Sequence, residues 1–150
     1  MKTKYLIGLV IAIVVLAAGY YFISPLFINI KMDEALPVGG GPASDLVTTS
    51  ERAEVVGTAG HPASGYALIV EADGKKYLRY EDFKTINGPD IYVYLAKDLE
   101  AKEFVSLGKV KATEGNVNYE IPVGVNVSEY PYVLTWCKAF GVLFNHAKLN

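Results

Sequence analysis

One cysteine, Cys137, two histidines, His61 and His146, and two methionines, Met1 and Met32, are the only soft or imidazole ligands in the 150 residues. A single cysteine excludes an intramolecular disulfide. A four-ligand Cys/His zinc site is excluded by count. A blue-copper set of two His and one Cys is allowed by count, but both methionines precede the part of the chain that would hold it. Charge of one sign is also missing: 14 basic and 16 acidic residues give a net charge of −2. Nothing makes a basic surface, so nucleic acid is not an expected partner. There is no Cys-x-x-Cys-His, which excludes covalent c-type haem attachment. There is no phosphate loop, dinucleotide fingerprint, His-Glu-x-x-His or Gly-x-Ser-x-Gly. Glu81 and Asp82 adjoin, but adjacency does not make a catalytic dyad. No motif therefore decides whether the chain is an enzyme.

Charge is absent altogether between Lys4 and Lys31. At about 1.5 Å rise per residue, roughly 20 residues in a helix cross a ~30 Å hydrocarbon core. A helix also pairs every backbone group within the segment, as hydrocarbon demands. Tyr5, Tyr20 and Tyr21 fall near the ends of the run, where an aromatic belt lies. Lys2 and Lys4 precede it, and Asp33 and Glu34 follow. The positive-inside rule then puts residues 1–4 in the cytoplasm as a tail, residues 5–28 in the lipid membrane as an anchor, and the remainder outside. A cleaved signal peptide is the alternative. The run is longer than the usual apolar core of a signal and lacks an Ala-x-Ala at its end, which favours a retained anchor.

Residues 29–50 read as a flexible linker. Pro37, Pro42 and the consecutive Gly39, Gly40 and Gly41 interrupt a stretch with no apolar period. Residues 51–150 form the folded domain. Ser50 to Val56 admits one or two helical turns with Ser50 as cap. Gly65 to Glu71 and Lys76 to Glu81 are strand-like, and Asp73-Gly74 between them is a hairpin signal. A turn at Asn87-Gly88-Pro89-Asp90 leads into a strand at Ile91 to Leu95, with Ile91, Val93 and Leu95 on one face and Tyr92 and Tyr94 on the other. Phe104 to Leu107, Asn116 to Ile121, Tyr130 to Lys138 and Phe140 to Phe144 complete the set. Asp98 to Glu103 reads as a polar loop. Short strands at this spacing predict an all-β fold, an antiparallel β-sandwich or barrel, preceded by one N-terminal transmembrane helix.

Cys137 carries the most chemical information. A free cysteine commonly packs as a small hydrophobe. Its functional readings are a redox thiol or a soft ligand to a redox group. Strand parity sets Lys138 on the opposite face, which weakens it as an activator of the thiol. His61, in Gly60-His61-Pro62, is a loop histidine and a potential partner. His146, close to the C-terminus, is expected to be exposed. Asp90 either caps its turn or lines a redox site, and Trp136 either packs or lines the same site. Asn126-Val127-Ser128 matches the N-glycosylation pattern.

Taken in order, Gly60-His61-Pro62-Ala63-Ser64-Gly65, Tyr77 to Phe83, Gly88-Pro89-Asp90, Leu107-Gly108, Tyr119-Glu120-Ile121-Pro122 and Trp136-Cys137-Lys138-Ala139-Phe140 resemble the DM-thirteen, or electron-transfer DM, domain family, with Phe144, Ala147 and Leu149 closing the match. The resemblance covers nearly all of residues 51–150. It implies a β-rich extracellular domain acting in redox reactions through its characteristic cysteine, either as a bare thiol or as a ligand to a prosthetic group. The matching residue is Cys137, with His61, Asp90 and Trp136 as cofactor-binding candidates. Haem or another redox group is compatible with this implication, and the sequence names none. Family members often carry a cytochrome-like DOMON domain, which this sequence does not show, so a separate redox protein is the implied partner. The expectation is a single-pass cell-membrane protein with a redox or electron-transfer role. The alternative is a non-catalytic surface binding or adhesion module.

Overall fold

A computed structural model describes residues 2–38 and 47–149. Met1 of the expected tail, residues 39–46 of the expected linker and Asn150 lie outside the described residues. The long helix α1 runs Lys2–Ile23, followed by a short 3-10 turn at Ser24–Phe27. It is long and apolar enough to cross a membrane, and none of it is buried against the domain.

The remainder is mostly β. One sheet holds β1 (Lys31–Asp33), β2 (Thr48–Thr49), β3 (Ala53–Glu54), β5 (Ala63–Ala72), β6 (Lys75–Thr85) and β9 (Glu114–Glu120), in the order β1-β9-β6-β5-β2 with β3 also on β5. The other holds β4 (Val56–Gly57), β7 (Ile91–Ala96), β8 (Phe104–Lys109), β10 (Tyr132–Cys137) and β11 (Val142–Lys148), in the order β4-β11-β10-β7-β8. All pairs are antiparallel except β1 with β9. The inner faces share one core. Ala67, Leu78, Tyr80, Val117 and Tyr119 come from the first sheet, and Val93, Leu95, Val133 and Ala147 from the second.

The β5–β6 hairpin turns at Asp73 and Gly74, both with positive φ, as a two-residue type I′ turn requires. The helical turns read at Ser50–Val56 are replaced by β3 and β4. Ser50 does not cap a helix; its N–H and hydroxyl both bond to the backbone of Ile69 in β5. The strand read at Phe140–Phe144 begins only at Val142, because Lys138–Gly141 makes the turn. Tyr94, on the face opposite Ile91, Val93 and Leu95, is 3% exposed. The loop after β7 covers it with Leu99 and Ala101, forming a second small cluster with Ala96 and Leu134. Burial raises its phenol pKa.

The first part of the expected linker is docked. Lys31, Met32 and Asp33 pair with Glu114, Gly115 and Asn116 of β9. Gly115 has φ of +116°, and a Cβ there would collide with the Met32 carbonyl, so only glycine admits this strand. Glu34 accepts the Asn118 N–H at 2.6 Å. Arg79, 6% exposed, donates to the carbonyls of Glu34 and Ala35 and to Asn118 Oδ1, and its Nε donates to Glu81. Composition signals a linker here because a three-residue edge strand needs no apolar run; its affinity is in backbone and side-chain hydrogen bonds.

The registers define two ends. At one end Ala63 pairs with Thr85, and Cys137 with both Ile91 and Val142. The chain from α1 arrives at this end, where Asn87 Nδ2 donates to the Ile28 carbonyl at 3.1 Å. At the far end Ala72 pairs with Lys75, and Tyr132 with Ala96 and Lys148.

Candidate functional site

The helix-side end gathers Cys137, Ile91 and Phe144 into a buried cluster, with Ile86 and Val110 packed against it. Cys137 ends β10 and is 0% exposed. Phe144 reaches it through an irregularity. On β10, Thr135 and Trp136 are adjacent, but their partners on β11 are Asn145 and Leu143, leaving Phe144 as an extra residue. Such a bulge re-aims a side chain. Leu143 turns out to the second cluster, and Phe144 turns in to the cluster that holds Cys137.

His61 covers the other side of Phe144. Their ring centroids are 4.1 Å apart at 25°. A short turn holds the imidazole in place: the His61 N–H donates to the Thr58 carbonyl at 2.9 Å, and Thr58 Oγ1 lies 3.1 Å from His61 Nδ1. The same hydroxyl is 2.8 Å from the Leu143 carbonyl and 3.0 Å from that of Phe144. Carbonyls only accept, so the hydroxyl proton is committed to them and Nδ1–H is the donor to Thr58. The result is His61 stacked on Phe144, which shares a buried cluster with Ile91 and Cys137. Gly88, in the turn before β7, completes it: a Cβ there would sit 3.0 Å from Phe144 Cζ and from Ile91 Cγ2.

Asp90 contributes through its backbone. Its carbonyl accepts the Lys138 N–H at 2.9 Å, tying the turn before β7 to the turn after β10. Its carboxylate faces Lys109 Nζ at 3.5 Å. Lys138 Nζ lies 5.4 Å from the centroid of the Tyr92 ring, a cation–π contact that fits the opposite-face expectation for this residue. Trp136 belongs to the outer cluster with Tyr92, Tyr132 and Leu143, apart from the thiol. His146 is half-buried, not exposed, because the β4 strand pairs over it at Val56; its Nδ1 is buried without a partner. Cys137 and His61 are thus connected through Phe144, whereas Trp136 and His146 are not.

Three contributors carry no sequence signal. Thr58, Thr85 and Asn145 are ordinary polar residues until folded. Asn145 is fully buried, donates to Thr85 Oγ1 at 2.9 Å, and leaves its Oδ1 without a partner. Thr85 lines a groove of about 200 Å³ with Pro62, Ala63, Ser64, Lys84 and Ile86. Ligand pockets usually measure about 300–1,000 Å³, and carbon side chains wall the sulfur of Cys137. Cys137 is 0% exposed and does not line this groove, so the groove offers no room for a haem-sized group at the thiol. Among the described residues, no three His, Cys, Asp or Glu side chains gather as a metal site.

A model of the family described as Electron transfer DM13 matches residues 55–149, well over half of the chain. No curated protein and no solved structure matches it.

Proposed function

Because the chain belongs to the electron-transfer DM13 family, we propose that it works as a membrane-anchored, extracytoplasmic domain with a redox role centred on Cys137. In this reading α1 spans the bilayer, Lys2 and Lys4 mark the cytoplasmic side, and the β domain lies outside. The observation that carries the role is the stack of His61 on Phe144, in the cluster of Cys137, at one end of the domain. The sulfur is shielded from bulk water, and its cluster reaches the His61 imidazole through the Phe144 ring. The electron donor or acceptor is a separate redox protein that docks at this end. A second reading, a surface-binding module without chemistry, has the carbon wall around Cys137 in its favour.

An electrochemical titration of the full chain in detergent separates them. The redox reading expects a reversible signal in the wild type that disappears in Cys137→Ala. The same trace from both proteins, with a thiol that reacts with maleimide only after denaturation, overturns it in favour of binding.

A further inference from the structure

The β10–β11 turn presents an aromatic side chain to solvent. Phe140 is 60% exposed at its tip, beside exposed Lys138 and Ala139. Its ring nevertheless has one neighbour from outside the domain: Phe22 of α1, with centroids 5.5 Å apart at 48°. We propose that Lys138–Gly141 is a lipid-docking loop that seats the Cys137 end of the domain on the membrane surface. The proposal rests on reading α1 as the anchor.

Depth follows from helix length. The 22 residues of α1 span about 33 Å, against a hydrocarbon thickness of ~30 Å. Phe22, next to the last residue, therefore lies at the outer boundary of the hydrocarbon, and Phe140 lies at the same level. An aromatic ring with a neighbouring lysine suits that boundary, where the ring enters the acyl region and the ammonium stays among headgroups.

The tether leaves little alternative. Only the four residues Ser24–Phe27 separate α1 from Ile28, at most about 14 Å of extended chain. Beyond them Asn87 holds the Ile28 carbonyl, and Thr113 holds Ile30 through both its N–H and its carbonyl. The end that carries the thiol is thus fixed close to the helix exit. Ile28 on the incoming chain and Val142 at the foot of β11 are also exposed, adding apolar surface at this level. Lipid is the occupant that the helix itself brings to the loop.

The test uses the full chain in phosphatidylcholine vesicles with brominated acyl chains. Trp136 is the single native tryptophan, so the paired variant Trp136→Phe/Phe140→Trp reports from the loop. Trp136→Phe/Val123→Trp reports from the far end, where Val123 is 98% exposed. Circular dichroism confirms that each retains its β signal. The proposal expects the loop indole to lose most of its emission to bromine and the far-end indole to keep its own. A second measurement leaves Trp136 intact: tryptic cleavage after Lys138 is slow in vesicles and fast in detergent, and Phe140→Asp abolishes the difference. If alkaline carbonate leaves the chain in the vesicles but the loop indole is unquenched and Lys138 is cleaved equally in both media, docking is overturned and the anchor stands. If carbonate extracts the chain, the anchor reading falls and docking falls with it. Quenching or protection that follows protein concentration rather than lipid assigns the loop to a second copy and also overturns the proposal.

Discussion

Phe144 joins the buried cluster of Cys137 to the His61 imidazole. Its ring stacks on the His61 imidazole and belongs to the buried cluster of the thiol, which it reaches as the extra residue of a bulge. Phe144→Ala should destabilise the domain by roughly 3–5 kcal/mol through lost burial and an unfilled cavity. It should also raise the rate at which native Cys137 reacts with maleimide. An unchanged labelling rate at retained fold contradicts this arrangement. The two halves of this site differ in how they show in sequence. A lone Trp-Cys pair and a Gly-Pro-Asp turn are visible; His61 and Gly88 each lie against the Phe144 ring, which shares a cluster with Cys137. Trp136 is a misleading neighbour because strand alternation sends it to the other face. Phe144 gives no signal in periodicity, since a bulge is a register event between two strands and neither strand's pattern contains it. The phenols of the core are similar: Tyr119 is pushed up to about 12 by burial, which its spacing alone does not reveal.

Elements whose stability is in paired side chains are readable, and those held by hydrogen bonds to a distant strand are not. The β5–β6 hairpin follows from β-branched and aromatic residues around Asp73-Gly74. The β1 strand does not, because Lys31, Met32 and Asp33 carry no alternation and find their partners more than eighty residues away. Arg79 is the clasp of this strap: one guanidinium bridges β6, β9 and the carbonyls of Glu34 and Ala35. Arg79→Ala removes these donors from partly buried acceptors and should cost roughly 1–3 kcal/mol. Hydrogen exchange should show the loss first at residues 34–35 and at the Asn118 amide. Protection there equal to the wild type would mean that the strap is held by β1 pairing alone. Arg79→Lys should not restore it, because an ammonium lacks the planar fork that reaches both carbonyls and the amide.

At the scale of the molecule the two ends are unlike. The helix-side end has the thiol, the ring stack, the groove and the exposed Phe140. The far end has the β5–β6 turn, Val123 and the Asn126-Val127-Ser128 motif, in which Asn126 is exposed. An antiparallel sandwich or barrel of short strands was legible from alternation and turn spacing, and the parallel pairing of β1 with β9 was not. The polarity of the ends was not, since it depends on where the strap docks. The account rests on α1 carrying the β domain across a bilayer, and Asn126 is a natural reporter of that crossing. Translation of the full chain into microsomes should add one glycan, absent in Asn126→Gln and protected, with the domain, from external protease. An unglycosylated product that stays in the membrane fraction, with its β domain digested from outside the vesicles, would place Cys137 on the cytoplasmic side and contradict the account.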